Sequence, residues 1–200
     1  MARTQAADFD ERREAIIGKA ADLYAKSGFL GASIADLAEA CGVSKSLLYH
    51  YFSSKEDILF EIMSSHVDAL NYAADGLQQS EDAEALLRSL THSFMALYVG
   101  ASSRHKVLVN DLDKLPEARR EKIVNSERRL LDTVDSILAR LSEPLANSPH
   151  QRRVMTMIYF GMINWTHTWF DPRGPVNTDA LADMVVSTFL HGVAKTRGKD

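Results

Sequence analysis

The stretch SIADLAEACGVSKSLLYHYFSSKEDIL, Ser33 to Leu59, decides the fold. Ser33 stands directly before Ile34, Leu37 and Ala38, so a hydroxyl is in place to cap the first amides of a short helix. Cys41-Gly42-Val43 interrupts that helix, and glycine is the residue that most readily ends one. Ser44 then caps a second short helix from Lys45 to about Tyr51. Ser53-Ser54 followed by Lys55-Glu56-Asp57 reads as the cap and first turn of a longer third one. Two short helices joined by a Gly-containing turn make a helix-turn-helix. Corners of this kind also occur in plain bundles, so the side chains must separate the two readings. Lys45, Ser46, Tyr49 and His50 offer donors on the exposed side, whereas Val43, Leu47 and Leu48 can pack inward. Short polar side chains and a lysine near the start of such a helix can reach base edges. Ser33 and Lys55 are placed to meet backbone phosphates on either side of the groove.

Working outward, Phe9, Ile16, Ile17, Ala20, Leu23 and Tyr24 form the apolar face of a preceding helix that stops at Ser27-Gly28. Downstream, Ile58, Leu59, Ile62, His66, Ala69, Leu70 and Ala73 give the fourth helix a long stripe. Leu86, Leu90, Phe94, Leu97 and Tyr98 mark a fifth, and Val107, Leu108 and Leu112 a sixth. A seventh starts at Pro116 and runs through Ile123, Leu130, Leu131, Val134, Ile137, Leu138 and Leu141, with Pro144 ending it. An eighth helix spans about Gln151 to Trp169 and a ninth about Thr178 to Ala194, flanking the turn-rich Asp171-Pro172-Arg173-Gly174-Pro175. No strand-like alternation interrupts this series. The fold class expected is all-α: a three-helix head and a larger helical body, about nine helices, joined through helix four.

Composition narrows the function. With 46% hydrophobic and 25% charged residues, ten Gly and five Pro, the chain is neither collagen-like nor disordered. The single cysteine, Cys41, excludes a disulfide framework and fits a reducing cytoplasm, where a small packed residue is the expected role. The charged first twenty residues lack the apolar core of a signal peptide. The longest apolar run, Val154 to Phe170, is broken by Thr156, Asn164, Thr166, His167 and Thr168, so no membrane anchor is expected. Net charge is −4, but residues 1–55 hold seven basic and seven acidic residues, so the head is neutral and the body carries the excess. There is no G-x-S-x-G elbow, phosphate loop or H-E-x-x-H motif, and Glu61 and His66 are five apart rather than three, so no enzyme, metal site or cofactor is expected.

The Ser33–Leu59 stretch resembles the signature of the TetR family of bacterial regulators: a hydroxyl opening helix two, A-x-x-C-G-V-S at the turn, L-Y-x-Y-F closing helix three, and S-K-E opening helix four. Ser33 replaces the commoner Thr, Cys41 the usual Ala and Ser46 a frequent Gly, departures that bear on the operator sequence. The resemblance implies that Ser33, Ser44, Lys45, Ser46, Tyr49, His50 and Lys55 contact double-stranded operator DNA, Tyr49 and Lys55 mainly at phosphates. Arg3, Arg12 and Arg13 are further candidates from an N-terminal arm. It also implies a DNA-binding domain over 1–53 and a ligand-binding, dimerising domain over 54–200, with the last two helices, eight and nine, forming the homodimer interface. Helix eight supports this independently: Val154, Met155, Met157, Ile158, Tyr159, Phe160, Met162 and Ile163 make it apolar nearly all round, so one side needs a cover beyond the core of its own chain.

Polar groups set in the apolar body point to a small-molecule effector pocket. Asn164, Trp165, Thr168 and Trp169, the i, i+4 pairs of helix eight, are candidates, as are His92, Phe94, Met95 and Tyr98 on helix five and Asn110 on helix six. Taken singly, each aromatic is expected to be core. The segment GMINWTHTWFDPRGPV, Gly161 to Val176, is similar to the helix-eight end of TetR-type regulators of fatty-acid, steroid-ring and phenylacetate catabolism, which implies an acyl-coenzyme A thioester as effector. YVGASSRHKVLVNDLDKLP, Tyr98 to Pro116, extends that likeness, closest to the phenylacetate regulators. Arg104, His105, Lys106, Arg128 and Arg129 are then candidates for the coenzyme A phosphates, with a solvated helix face as the plain alternative. A second reading keeps the fold and makes the ligand a cationic or hydrophobic drug controlling an efflux pump; Asp111, Asp113 or Glu127 inside the pocket would favour it.

Overall fold

Serine hydroxyls start the short helices of the head in the computed structural model, which describes the backbone of residues 2–77 and 82–191 and side chains from residue 9. Ten α-helices follow in order: α1 (Ala2–Ser27), α2 (Ile34–Cys41), α3 (Lys45–Tyr51), α4 (Lys55–Asp75), α5 (Ala83–Gly100), α6 (Ser102–Asp111), α7 (Glu117–Leu141), α8 (Glu143–Asn147), α9 (Pro149–Asn164) and α10 (Thr178–His191). Two 3-10 turns, Leu112–Lys114 and Trp165–Thr168, extend α6 and α9. There is no strand among the described residues, so the fold is all-α as the periodicity predicts.

Two elements differ from the sequence reading. Pro144 lies inside the extra short helix α8, where the hydroxyl of Ser142 caps the start and proline occupies the first turn without losing a needed amide. The expected single helix through Trp169 instead tightens to 3-10 geometry after Asn164. Residues i and i+3 eclipse there, so the i, i+4 faces expected for Trp165 with Trp169 and Asn164 with Thr168 do not form. The predicted end of the last helix near Ala194 lies outside the described residues.

The chain resolves into two compact units. One comprises residues up to Val67 together with Ser103–Val124; the other comprises Asp68–Ser102 and the residues from Asn125 onward. In the first, Ile16, Ile17, Ala20, Ala21 and Tyr24 of α1 are buried with Leu37 and Ala38 of α2, Leu48 of α3, and Ile58, Leu59 and Ile62 of α4. Each fully buried aliphatic or aromatic side chain contributes about 1.5–3 kcal/mol of transfer free energy. The Tyr24 and Phe29 rings meet edge to face at 5.5 Å. In the second unit, Leu87, Leu90, Phe94 and Met95 of α5, Val134 and Leu138 of α7, Tyr159 and Ile163 of α9, and Ala182 and Val186 of α10 are buried. Within it the Thr91 hydroxyl donates to the Leu87 carbonyl and lies 2.9 Å from the Tyr159 hydroxyl, so the polar tip of a buried tyrosine is satisfied.

Candidate functional site

The turn between α2 and α3 is built to present one helix outward. Ser33 Oγ accepts the Asp36 amide at 3.1 Å while Asp36 Oδ2 accepts the Ser33 amide at 2.7 Å, a reciprocal capping box. These bonds hold the Asp36 carboxyl below its usual range. At the other end Gly42 adopts φ +66°, a left-handed conformation that a β-carbon disfavours. Its amide reaches the Glu39 carbonyl and that of Val43 the Ala38 carbonyl, each at 3.0 Å, closing a Schellman motif. Ser44 Oγ accepts the Leu47 amide at 3.1 Å and starts α3. Leu48 anchors α3 from beneath, leaving Lys45, Ser46, Tyr49 and His50 exposed along its outer side. Four donors on a short, rigidly capped helix give the side-chain chemistry that a major groove accepts.

The other head residues are placed differently. Ser33 and Ser44 spend their hydroxyl acceptors on caps, yet both remain at exposed helix starts. Lys55 turns inward: its ammonium donates to the Phe29 carbonyl and lies 4.1 Å from the Phe29 ring centroid. Burial lowers its pKa, opposed by the charges of Glu56, Asp111 and Asp36. Arg13 pairs with Glu61 at 2.7 Å over the Phe52 ring, whereas Arg12 is exposed. The side chain of Arg3 lies outside the described residues. Phe9 of α1 meets the rings of His50 and Tyr51, so the start of α1 runs beside the end of α3.

Three consecutive residues of α6 fasten it to α1 and α4 inside the first unit. Ser103 Oγ donates to Asp22 at 2.7 Å. Arg104 pairs with Glu14 and donates to Ser65 Oγ at 3.0 Å. His105 Nδ1 lies 3.2 Å from His66 Nε2, both rings buried. Burial, then His105 and Arg104, depresses the His66 pKa to about 3. Arg104, read from sequence as a ligand candidate, is thus a strut between helices.

The remaining ligand candidates do not converge on one place. Phe94, Met95 and Tyr98 are buried in the core of the second unit. His92 sits between Asp183, 3.0 Å from Nε2, and Asp179, 3.3 Å from Nδ1, where α5 meets α10. Asn110 is exposed, and Arg128 donates to its helix neighbour Asn125. Trp165 and Trp169, expected in the core, are 64% and 60% exposed because the 3-10 turn points them outward. The Thr168 hydroxyl donates to the Trp165 carbonyl, and Asn164 is half-buried. Beside them Tyr98, Ser102, Thr166, His167 and Phe170 line a cleft of about 180 Å³. A wider groove of about 380 Å³ between α4, α5 and α7 is lined by Asp75, Leu86, Thr133, Ser136 and Arg140. Arg129 donates to Asp75 at 3.1 Å.

Sequence reasoning missed Arg119 and Lys122, which line a cleft with Tyr49 and His50 in the first unit. A signal was present: arginines follow directly on Pro116-Glu117-Ala118, although the positive end of the helix dipole disfavours cations there. On α9, Val154, Met157 and Ile158 are exposed opposite the buried Thr156, Tyr159, Phe160 and Ile163, with Met184 exposed on α10. Among the described residues no group of three or more metal-ligating side chains occurs, and no helix is long and apolar enough to cross a membrane.

Residues 16–62 match the family "Bacterial regulatory proteins, tetR family", and residues 80–193 match "Tetracyclin repressor-like, C-terminal domain". The HTH-type transcriptional repressor KstR2 of Mycolicibacterium smegmatis is 26% identical over 198 residues, covering 94% of this chain and 93% of its own. A TetR-family transcriptional regulator from Bordetella parapertussis is 37% identical with a TM-score of 0.90, over 94% of this chain and 98% of the other. AibR, solved with isovaleryl coenzyme A and operator DNA, is 25% identical with a TM-score of 0.77, over 88% of this chain and 97% of its own. Regulators of this family bind operator DNA and act as dimers under small-molecule control; they are not enzymes. The paired matches to both halves and the capped α2–α3 turn make this chain a member of the TetR family of transcriptional regulators.

Proposed function

We propose that the protein is a cytoplasmic repressor that docks α3 in the major groove of paired operator half-sites and is released by an acyl-coenzyme A thioester. The observation that carries DNA docking is the exposed donor row Lys45, Ser46, Tyr49 and His50 on a helix fixed at its start by Ser44. Ser33 and Ser44 add contacts at helix starts, where amides favour phosphate oxygens. Lys55 contributes through its field, its ammonium being held by Phe29. The DNA-binding domain covers residues 1–53 and the ligand-binding and dimerisation domain residues 54–200. The homodimer forms through α9 and α10, because a second copy is the economical cover for Val154, Met157, Ile158 and Met184.

The regulated genes form a catabolic operon of the phenylacetate or fatty-acid type. Support for a thioester comes from AibR, solved with isovaleryl coenzyme A, and from the apolar core around Phe94, Met95 and Tyr98. Lys106, Arg128 and Arg129 are the nucleotide-tail candidates left exposed, whereas Arg104 is engaged by Glu14 and Ser65 and His105 is buried. Effector binding favours a state with altered spacing of the two heads and so lowers affinity for half-sites about 34–36 Å apart.

One observation favours the second reading, a cationic drug-like effector and an efflux operon. Glu127 is withdrawn from water, and burial raises its pKa. A cationic ligand beside it would restore the charged carboxylate. The test is binding to the DNA upstream of the gene at fixed salt, with phenylacetyl-CoA, a long-chain acyl-CoA, free CoA and a lipophilic cation added in turn. Release by one thioester alone supports the first reading, and release by the cation alone replaces it with the second. Absence of any DNA binding overturns both.

A further inference from the structure

In the first unit a cleft of about 530 Å³ opens between α1, α3, α4 and the start of α7, with Tyr49, His50, Asp57, Glu61, Arg119 and Lys122 on its walls. Both carboxylates in it are already engaged. Glu61 pairs with Arg13 at 2.7 Å, and Asp57 takes Arg119 and the Ser53 hydroxyl. The cations are not all used. Arg119 Nη1 is buried without a hydrogen-bond partner, although its guanidinium lies over the Phe60 ring. Lys122 is exposed and makes no hydrogen bond or ion pair among the described residues. Arg119 also stands in the first turn of α7, where the helix dipole disfavours it and an anion would compensate. The cleft therefore has spare donors and no spare acceptor charge.

We infer that this cleft is a phosphate site through which α7, a helix outside the helix-turn-helix, grips the DNA backbone beside the recognition helix. The backbone is the source of the phosphate because two of the walls, Tyr49 and His50, are themselves the exposed end of α3, so the cleft continues the face read as DNA-docking. Lys122 supplies the point charge, and the partly exposed Arg119 guanidinium, held by Asp57 and Phe60, adds its positive field. Such a contact adds affinity for any duplex without reading its sequence.

The inference rests on the DNA-docking reading, so its test keeps the two apart. Fluorescence anisotropy of the full chain with its operator duplex and with an unrelated duplex is followed over a KCl series. Lys45→Ala reports on docking through α3, and Lys122→Ala on the cleft; the latter removes an exposed side chain that makes no hydrogen bond or ion pair among the described residues, so the fold stays intact. The expected result for Lys122→Ala is a roughly three- to tenfold loss on both duplexes, with the log–log salt slope reduced by about 1 per protomer. Lys122→Arg should restore the slope. If Lys45→Ala weakens operator binding while Lys122→Ala leaves affinity and slope unchanged, the cleft assignment fails and docking stands. If the wild-type chain binds no duplex, docking itself fails. Calorimetric binding of inorganic phosphate to the DNA-free protein, lost in Lys122→Ala with an unchanged DNA salt slope, would assign the cleft to a free anion and overturn the backbone.

Discussion

His66 Nε2 and His105 Nδ1 face each other at 3.2 Å across α4 and α6, two buried imidazoles sharing one hydrogen bond beside the Arg104 guanidinium. A proton added to His66 would place a buried cation next to arginine. The His66 pKa of about 3 lies below the unfolded value of about 6.5. The unfolded chain therefore binds more protons between these values, and the contribution of His66 to stability falls as the pH drops through that window. Denaturant melts from about pH 7.5 to about pH 5 should show up to about 1.4 kcal/mol lost per pH unit below about 6.5 from this residue. Asp111 and Glu127, whose pKa values are raised mainly by burial, act in the opposite sense at carboxylate pH. The discriminating quantity is the difference from a His66→Leu/His105→Leu variant, which should be flatter; equal slopes would show that folding does not suppress protonation of the pair.

Ser33→Ala removes the acceptor for the Asp36 amide and should cost about 1 kcal/mol, seen as a fall in Tm of about 2–4 °C. Ser33→Asp keeps a capping oxygen but adds charge at an exposed helix start. Retained Tm with weakened DNA binding is the expected outcome for aspartate. Equal DNA affinity of wild type and Ser33→Asp would remove Ser33 from the phosphate contacts.

Arg152 ties α9 to α7 and α8 at once: Nε donates to Asp135 at 2.6 Å and Nη1 to the Leu145 and Ala146 carbonyls at 2.9 and 3.1 Å. Both partners of the ion pair are about four-fifths buried, with 16% and 17% of the side chain exposed. Arg152→Ala leaves Asp135 with only the distant Arg153, at 3.9 Å. Chemical denaturation should show a loss of about 2–3 kcal/mol. Arg173→Ala, by contrast, touches an exposed pair with Asp171 and should be near neutral.

Val154, Met157 and Ile158 project from α9 away from the chain's own core. Ile158→Glu should convert a dimer to a folded monomer in sedimentation experiments, because a charge cannot be covered by a second apolar face. Circular dichroism should remain helical. A variant that stays dimeric would move the interface elsewhere.

The local code of the head was legible from sequence for physical reasons. Caps, a left-handed glycine and helical periodicity are set by interactions within about four residues, so Ser33, Gly42, Ser44 and the α3 donors can be read in order along the chain. The same holds for the apolar stripe of α9, whose excess over one face leaves Val154, Met157 and Ile158 exposed. What the fold alone decided lies in long-range pairing. Nothing local says that Lys55 turns to the Phe29 carbonyl, that Arg104 braces Glu14 and Ser65, or that Arg119 reaches Asp57. Those partners stand 26 to 90 residues apart, and which cation is spent and which is spare follows only once helices pack. The outward turn of Trp165 and Trp169 belongs to the same class. A change from α to 3-10 pitch after Asn164 rotates both indoles off the predicted face while Thr166 and Ile163 stay buried, a change that periodicity does not announce.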